Sequence, residues 1–167
     1  MIEIRRLTNA DVDDYRAIRL EALRGDPIAF GSTYEAEVER PRSHFEQRLA
    51  ATAVFAAYAD ARIVGMAGFM REGGLKDRHK GFLWGMYVGP EARGLGVGRT
   101  LVQAVLDHAT EVVEQVILAV TQGNEAAIAL YGSLGFTVYG VEPRALKSGD
   151  RYWDDVLMVK FLRRPDL

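Results

Sequence analysis

The sequence predicts an α/β fold, a mixed and mainly antiparallel sheet flanked by helices, forming one domain over residues 1–167. Three observations carry this. Apolar runs of strand length alternate with stretches of helical periodicity along the chain. Two of those runs are separated only by Asp60 and Ala61, the spacing of a hairpin. A glycine-spaced loop, PEARGLGVGRTL from Pro90 to Leu101, joins an apolar strand to an amphipathic helix. With 167 residues, 49% of them hydrophobic and 26% charged, the chain is long enough to bury one substantial core and short for two.

The elements follow in order. Residues 2–7 read as an opening strand. Thr8 and Asp11 then resemble a capping box at the start of a helix that runs to about Leu23, before Gly25, Asp26 and Pro27 stop it. Residues 29–39 have no decisive periodicity. A second helix follows Pro41 with Phe45 and Leu49 inward, and residues 54–59 and 62–70 make the hairpin. After a turn at Gly73 and Gly74, residues 80–88 form a strand in which Gly85 marks a bulge or a close approach. From Arg99 to about Val113, Leu101, Val102, Val105, Leu106 and Ala109 share one helical face. Residues 116–120 are continuously apolar, as in a strand covered on both faces. A helix from Asn124 to Leu134 ends at Gly135, a residue suited to the left-handed position beyond a helix. Residues 136–141 and 151–161 read as long antiparallel strands joined through Ser148, Gly149 and Asp150.

Composition excludes several function classes. A net charge of −2 gives no general electrostatic reason to expect nucleic acid or an anionic membrane. The opening MIEIRRLTNA reads as a strand rather than a signal segment, so the cytoplasm is the expected compartment. The chain has no cysteine, which rules out disulfides, thiolate metal sites and a covalent acyl-cysteine, so any group transfer is direct. His44, His79 and His108 are scattered, without ligand spacing, and no metal is expected.

The glycine loop points to a nucleotide-containing cofactor. Gly94, Gly96 and Gly98 alternate, leaving little bulk between the loop's N–H groups and an anion; Arg99 and Thr100 open a helix with an electropositive N-terminus, and Arg93 adds positive charge. A dinucleotide-binding fingerprint needs G-x-G-x-x-G after the first strand of a βαβ unit, whereas this loop reads G-x-G-x-G beyond mid-chain. A P-loop needs Gly-Lys-Ser/Thr, and Gly98, Arg99, Thr100 does not supply it.

A second run, NEAAIALYGSLGF from Asn124 to Phe136, follows the apolar strand. Together, Arg93, Gly96 and Gly98 with Asn124, Ala127, Leu130, Tyr131, Gly135 and Phe136 closely resemble the paired motifs of the GNAT superfamily of acetyl-CoA-dependent N-acetyltransferases. The resemblance implies a sheet splayed at its middle strands, with the pantetheine arm of acetyl-CoA pairing with the main chain at Met86 and Val88. It also implies a diphosphate cradle over Arg93, Gly94, Leu95, Gly96, Val97, Gly98, Arg99 and Thr100. Asn124 would cap the helix and help position the arm, and Tyr131 matches the family tyrosine that gives a proton to the departing sulfur. Without the motif, Tyr131 reads as an ordinary packing residue.

The acceptor nitrogen is an ammonium with a pKa near ~10 and must lose a proton before it attacks. Many relatives carry a glutamate on the strand that here reads FLWGMYV, and this strand has no carboxylate. The base is therefore left between a water chain and a carboxylate from the region of Tyr34, Glu35, Glu37 and Glu39, for which a solvated helix face is the plainer reading. The segment AFGSTYEAE sits where the family builds its acceptor wall and would suit a small cationic amine; Arg144, Lys147, Asp154 and Asp155 could equally shape the pocket. The expected acceptor is a small-molecule or protein amine. A different acyl-CoA donor, or a non-catalytic acyl-CoA sensor or interaction module, are the competing readings, and a homodimer fits family habit.

Overall fold

A computed structural model of the protein describes residues 1–162. The strands are β1 (Ile2–Arg6), β2 (Ala53–Ala59), β3 (Arg62–Arg71), β4 (Lys80–Val88), β5 (Gln115–Thr121), β6 (Thr137–Ser148) and β7 (Arg151–Phe161). The helices are α1 (Val12–Gly25), α2 (Tyr34–Glu37), α3 (Arg42–Ala51), α4 (Val97–Val112) and α5 (Glu125–Ser133). One sheet has the order β1-β2-β3-β4-β5-β7-β6; β1–β2, β2–β3, β5–β7 and β7–β6 pair antiparallel and β4–β5 pairs parallel. No helix among the described residues is long and apolar enough to cross a membrane.

The chain forms two compact units, each discontinuous in sequence. One comprises Met1–Met70 and Leu83–Asp107, and the other comprises Arg71–Phe82 and the described residues from 108 to 162.

In the first unit, β1 and β3 flank β2. The β2–β3 turn is made by two non-glycine residues, Asp60 and Ala61, at φ +48° and +67°, the left-handed pair that a two-residue hairpin requires. Helix α1 does not start at Thr8: a 3₁₀ turn over Asn9–Asp11 precedes it. That entry is pinned because the Thr8 N–H donates to the Asp11 carboxylate at 2.7 Å while Arg5 donates to both its oxygens at 3.0 and 2.9 Å. Tyr15, Ile18, Ala22 and Leu23 of α1 meet Phe45 of α3, Ala56 and Tyr58 of β2 and Met66 of β3 in one core. Residues 29–39 resolve into a 3₁₀ end and the one-turn helix α2, capped by the Thr33 hydroxyl, which accepts from the Ala36 N–H at 3.1 Å.

In the second unit, β4 pairs with β5 in parallel over Lys80, Gly81 and Phe82. β5 is not covered on both faces. Val116, Leu118 and Val120 are buried while Gln115, Ile117 and Thr121 are half-buried and Ala119 is exposed, so its apolar run has one inward face. β6 extends to Ser148, seven residues beyond the predicted end, with register shifts against β7 at Val138/Gly140 and Glu142/Leu146. Pro143 lies inside the second shift, where its missing N–H breaks no ladder bond.

Candidate functional site

In the first unit the glycine loop has the geometry of an anion cradle. Gly94 and Gly96 stand at φ +79° and +77°, and no atom lies within 4 Å of the position a Cβ would take at either. Gly98 does a different job, lying inside α4, which begins at Val97 rather than Arg99. The first helical bond here runs from the Thr100 N–H to the Gly96 carbonyl at 3.1 Å, and the Thr100 hydroxyl donates to the same carbonyl at 3.0 Å. The amides of Val97 and Gly98 thus belong to the first turn, where helix geometry supplies no carbonyl one turn earlier. Arg93, Gly94, Leu95, Gly96, Arg99 and Thr100 are exposed.

Arg93 turns back toward β4, donating from Nε to the Val88 carbonyl at 3.0 Å and standing 5.9 Å from the Tyr87 ring centre. It therefore holds the loop to the strand as well as lending charge. In β4, Gly85 at φ +64° confirms the expected irregularity. Trp84 and Tyr87, three residues apart, would face opposite ways on a regular strand, yet both meet the α1 core. The glycine kink reverses the alternation. Replacing Gly96 by Val is expected to weaken acetyl-CoA binding at least about tenfold, because the side chain meets both a left-handed backbone and the cradle; isothermal titration measures it.

The segment carrying Tyr34, Glu35, Glu37 and Glu39 departs from the solvated helix face expected of it. Glu37 is buried, 3% exposed, rather than part of a solvated face. It accepts from Arg19 Nε at 3.1 Å and Nη2 at 2.9 Å and from Arg48 Nη1 at 3.2 Å. Burial pushes its carboxyl up, but the bonds from Arg19 and Ser32 and the two guanidinium charges outweigh that and bring it down to about 2. A carboxylate held this way is a poor base. Glu35 and Glu39 are exposed.

A separate cavity of about 590 Å³ in the same unit is lined by Leu20, Glu21, Arg24, Tyr34, Tyr87 and Glu91, among others. Its α1 residues lie on the opposite helical face from Arg19. Burial first, and then its bond to Glu21, push the Tyr87 hydroxyl up to about 12, and Arg24 stacks 4.1 Å from the Tyr34 ring centre.

In the second unit, Asn124 and Tyr131 sit at the two ends of α5. The Asn124 side chain accepts from the Ala127 N–H at 3.2 Å, a cap whose removal costs about 1 kcal/mol. Tyr131 is 6% exposed and meets Phe136 edge-on at 5.8 Å; burial pushes its hydroxyl above the ordinary value. At the other end Gly135, at φ +95°, lets the Lys160 ammonium reach the Leu134 carbonyl at 2.7 Å; a Cβ there would lie 2.5 Å from Nζ. Arg144, at φ +51°, donates its N–H to Asp154 at 2.8 Å, and Lys147 lies over the Tyr152 ring. Burial, with Glu142 and Asp154 nearby, raises the Asp155 carboxyl.

The model of the acetyltransferase (GNAT) family matches residues 12–136, which contain both the loop and α5. The chain belongs to the GNAT family. A GNAT relative, the N-alpha-acetyltransferase RimI of Mycobacterium tuberculosis, is 30% identical over 146 residues, covering 86% of this chain and 83% of that protein. Among solved GNAT structures, the ribosomal-protein-alanine N-acetyltransferase of Brucella melitensis superposes with a TM-score of 0.83 at 29% identity, over 95% of this chain and 99% of that one. The Salmonella typhimurium protein yncA, solved with its cofactor acetyl-CoA, has a TM-score of 0.85 at 24% identity, over 100% and 97%. The protein is thus a GNAT-type acetyltransferase with the α/β fold of that family.

Two residues of this GNAT chain escaped sequence reasoning, Arg19 and Arg48. Arg19 was detectable in principle, since it stands four residues after Tyr15 and three before Ala22, a charge on the apolar stripe of α1. Of the histidines, His44 lies edge-on to Phe45 at 5.1 Å, and the His79 carbonyl accepts from the Glu114 N–H at 2.7 Å. Among the described residues no group of three or more His, Asp or Glu is placed to hold a metal ion.

Proposed function

We propose that the protein transfers an acetyl group from acetyl-CoA to an amine by direct attack in a ternary complex, with Tyr131 as the general acid. The observation that carries this reading is the exposed, left-handed glycine loop at the start of α4. Main-chain amides in such a nest, next to a helix N-terminus, suit a diphosphate. We assign the diphosphate to residues 93–100, the pantetheine arm to the main chain of Met86 and Val88, and a positioning role to Asn124. Acetyl-CoA supplies a thioester, an electrophilic carbonyl with sulfur as leaving group.

The rest is done by the chain. The Val88 carbonyl is already engaged by Arg93, while its N–H is the donor we assign to the thioester oxygen, on which negative charge grows. With Glu37 held by two guanidiniums and no carboxylate on β4, the ammonium proton goes to solvent water. Tyr131, protonated across neutral pH because burial raises it, offers its phenolic proton to the departing sulfur.

A thiol-release assay with acetyl-CoA and a panel of amines, run beside a binding titration, tests the reading. Thiol should appear only when an amine is present, and kcat/KM should rise with pH toward the ammonium's own pKa. Thiol release coupled to a stable acetyl-enzyme, or the absence of acetyl-CoA binding, would contradict it.

A further inference from the structure

The charged cluster beneath β4 has one more cation than anion. Arg19 and Arg48 share the single carboxylate of Glu37. The Arg19 side chain is 8% exposed, but Arg48 is 25% exposed, so the cluster opens to solvent on its Arg48 side. Arg48 is also under-used: beyond Glu37, its contacts to the Tyr15 hydroxyl and His44 Nε2 are long, 3.5 and 3.4 Å. Its guanidinium lies 5.7 Å from the Trp84 ring centre. Trp84 in turn has its indole flat over Gly68, where any side chain would overlap the ring, and its Nε1–H is buried without a hydrogen-bond partner. An unpaired buried donor is costly enough to call for an acceptor. A cation with two long contacts and a donor without a partner thus belong to neighbouring side chains.

The groups around this spot leave the positive charge uncancelled. The His44 imidazole is held below its ordinary value by burial and then by Arg48, with Arg40 and Arg19 acting the same way and only Glu37 opposing. Next to Trp84, the kinked Gly85 has only Arg19 Nη1 within 4 Å of its Cβ position, at 3.7 Å. The floor of β4 at the bulge therefore borders the cationic cluster directly.

We infer that Arg48 and the Trp84 indole N–H form a carboxylate subsite, so that the acceptor is an amine bearing a carboxylate, of the free amino acid type. This rests on the acetyl-transfer reading and names its substrate class. The acids of the acceptor wall suggested a cationic amine from sequence alone; the structure uses the buried one of them, Glu37, to hold two arginines, and the balance changes sign.

The test compares free L-amino acids, their carboxamides and short peptides with a free N-terminus as acceptors in the thiol-release assay. Binding is followed separately through Trp84 emission in a Trp153→Phe background with acetyl-CoA present. Amino acids should exceed their carboxamides at least about tenfold in kcat/KM and alone perturb the Trp84 emission. Trp84→Phe, which keeps the ring and loses the N–H, should raise the amino acid KM about tenfold with kcat and the acetyl-CoA Kd unchanged; Arg48→Lys should do so less. Equal use of acids and amides, preference for peptides, or no binding of any amino acid would overturn the subsite. The first two would leave acetyl transfer intact, whereas failure of acetyl-CoA to bind would remove the underlying reading instead.

Discussion

Tyr131→Phe is expected to lower turnover by about a hundredfold or more, the usual contribution of a positioned proton donor, while the Kd for acetyl-CoA stays within about twofold. Phenylalanine preserves the ring that meets Phe136 edge-on and deletes only the hydroxyl, so the fold should not respond. Burial raises the Tyr131 hydroxyl, so the residue stays protonated through neutral pH. The wild-type rate profile should therefore show no descending limb from Tyr131 between about pH 6 and 9. Single-turnover rates with saturating acetyl-CoA measure the effect. Unchanged turnover would reduce Tyr131 to a packing residue.

Glu37→Gln is expected to be the most destabilising of the single changes considered. It leaves the buried Arg19 guanidinium without its counter-charge, and breaking a buried pair from one side costs about 3–5 kcal/mol. A loss near 3 kcal/mol corresponds to about 6–12 °C in Tm for a chain of this size. The sign of the pH dependence follows from the depressed carboxyl. With the folded value about 2 against an ordinary 4.5, the charged form contributes stability above pH 4.5. That contribution, about 3 kcal/mol, fades as pH falls toward 2. Urea unfolding across that window should show one proton's worth of slope in the wild type that the Gln variant lacks. The Asp11 carboxyl, also depressed to about 2 by its bonds with Arg5, titrates alike in both proteins and cancels.

What was readable from sequence, and what was not, divides along the range of the interactions. The glycine loop and the α5 termini were legible because left-handed backbone at Gly94, Gly96 and Gly135 leaves its requirement in the residue type itself. The hairpin and α4 were legible from their periodicity. The Glu37 cluster was not, because its partners stand 18 and 11 residues away and only tertiary packing turns an acidic run on α2 inward. β6 runs past the end expected at Val141 because register shifts at Val138/Gly140 and Glu142/Leu146 let the ladder continue through Pro143 to Ser148. The uninterrupted apolar run of β5 overstated its burial, since Ala119 is small enough to face outward at little cost.

The position of β7 carries a consequence for how this protein is made. Although β7 follows β6 in sequence, it inserts between β5 and β6, and its Lys160 closes the end of α5. While the ribosome is still delivering residues 151–161, the β7 side of β5 has no partner and the helix bearing Asn124 and Tyr131 lacks its terminal tie. A nascent chain stalled before that point presents a bare strand edge, the kind of surface that recruits other strands. Closure of this half of the molecule therefore waits on β7, and truncation within residues 151–161 should yield aggregates rather than a weakened enzyme.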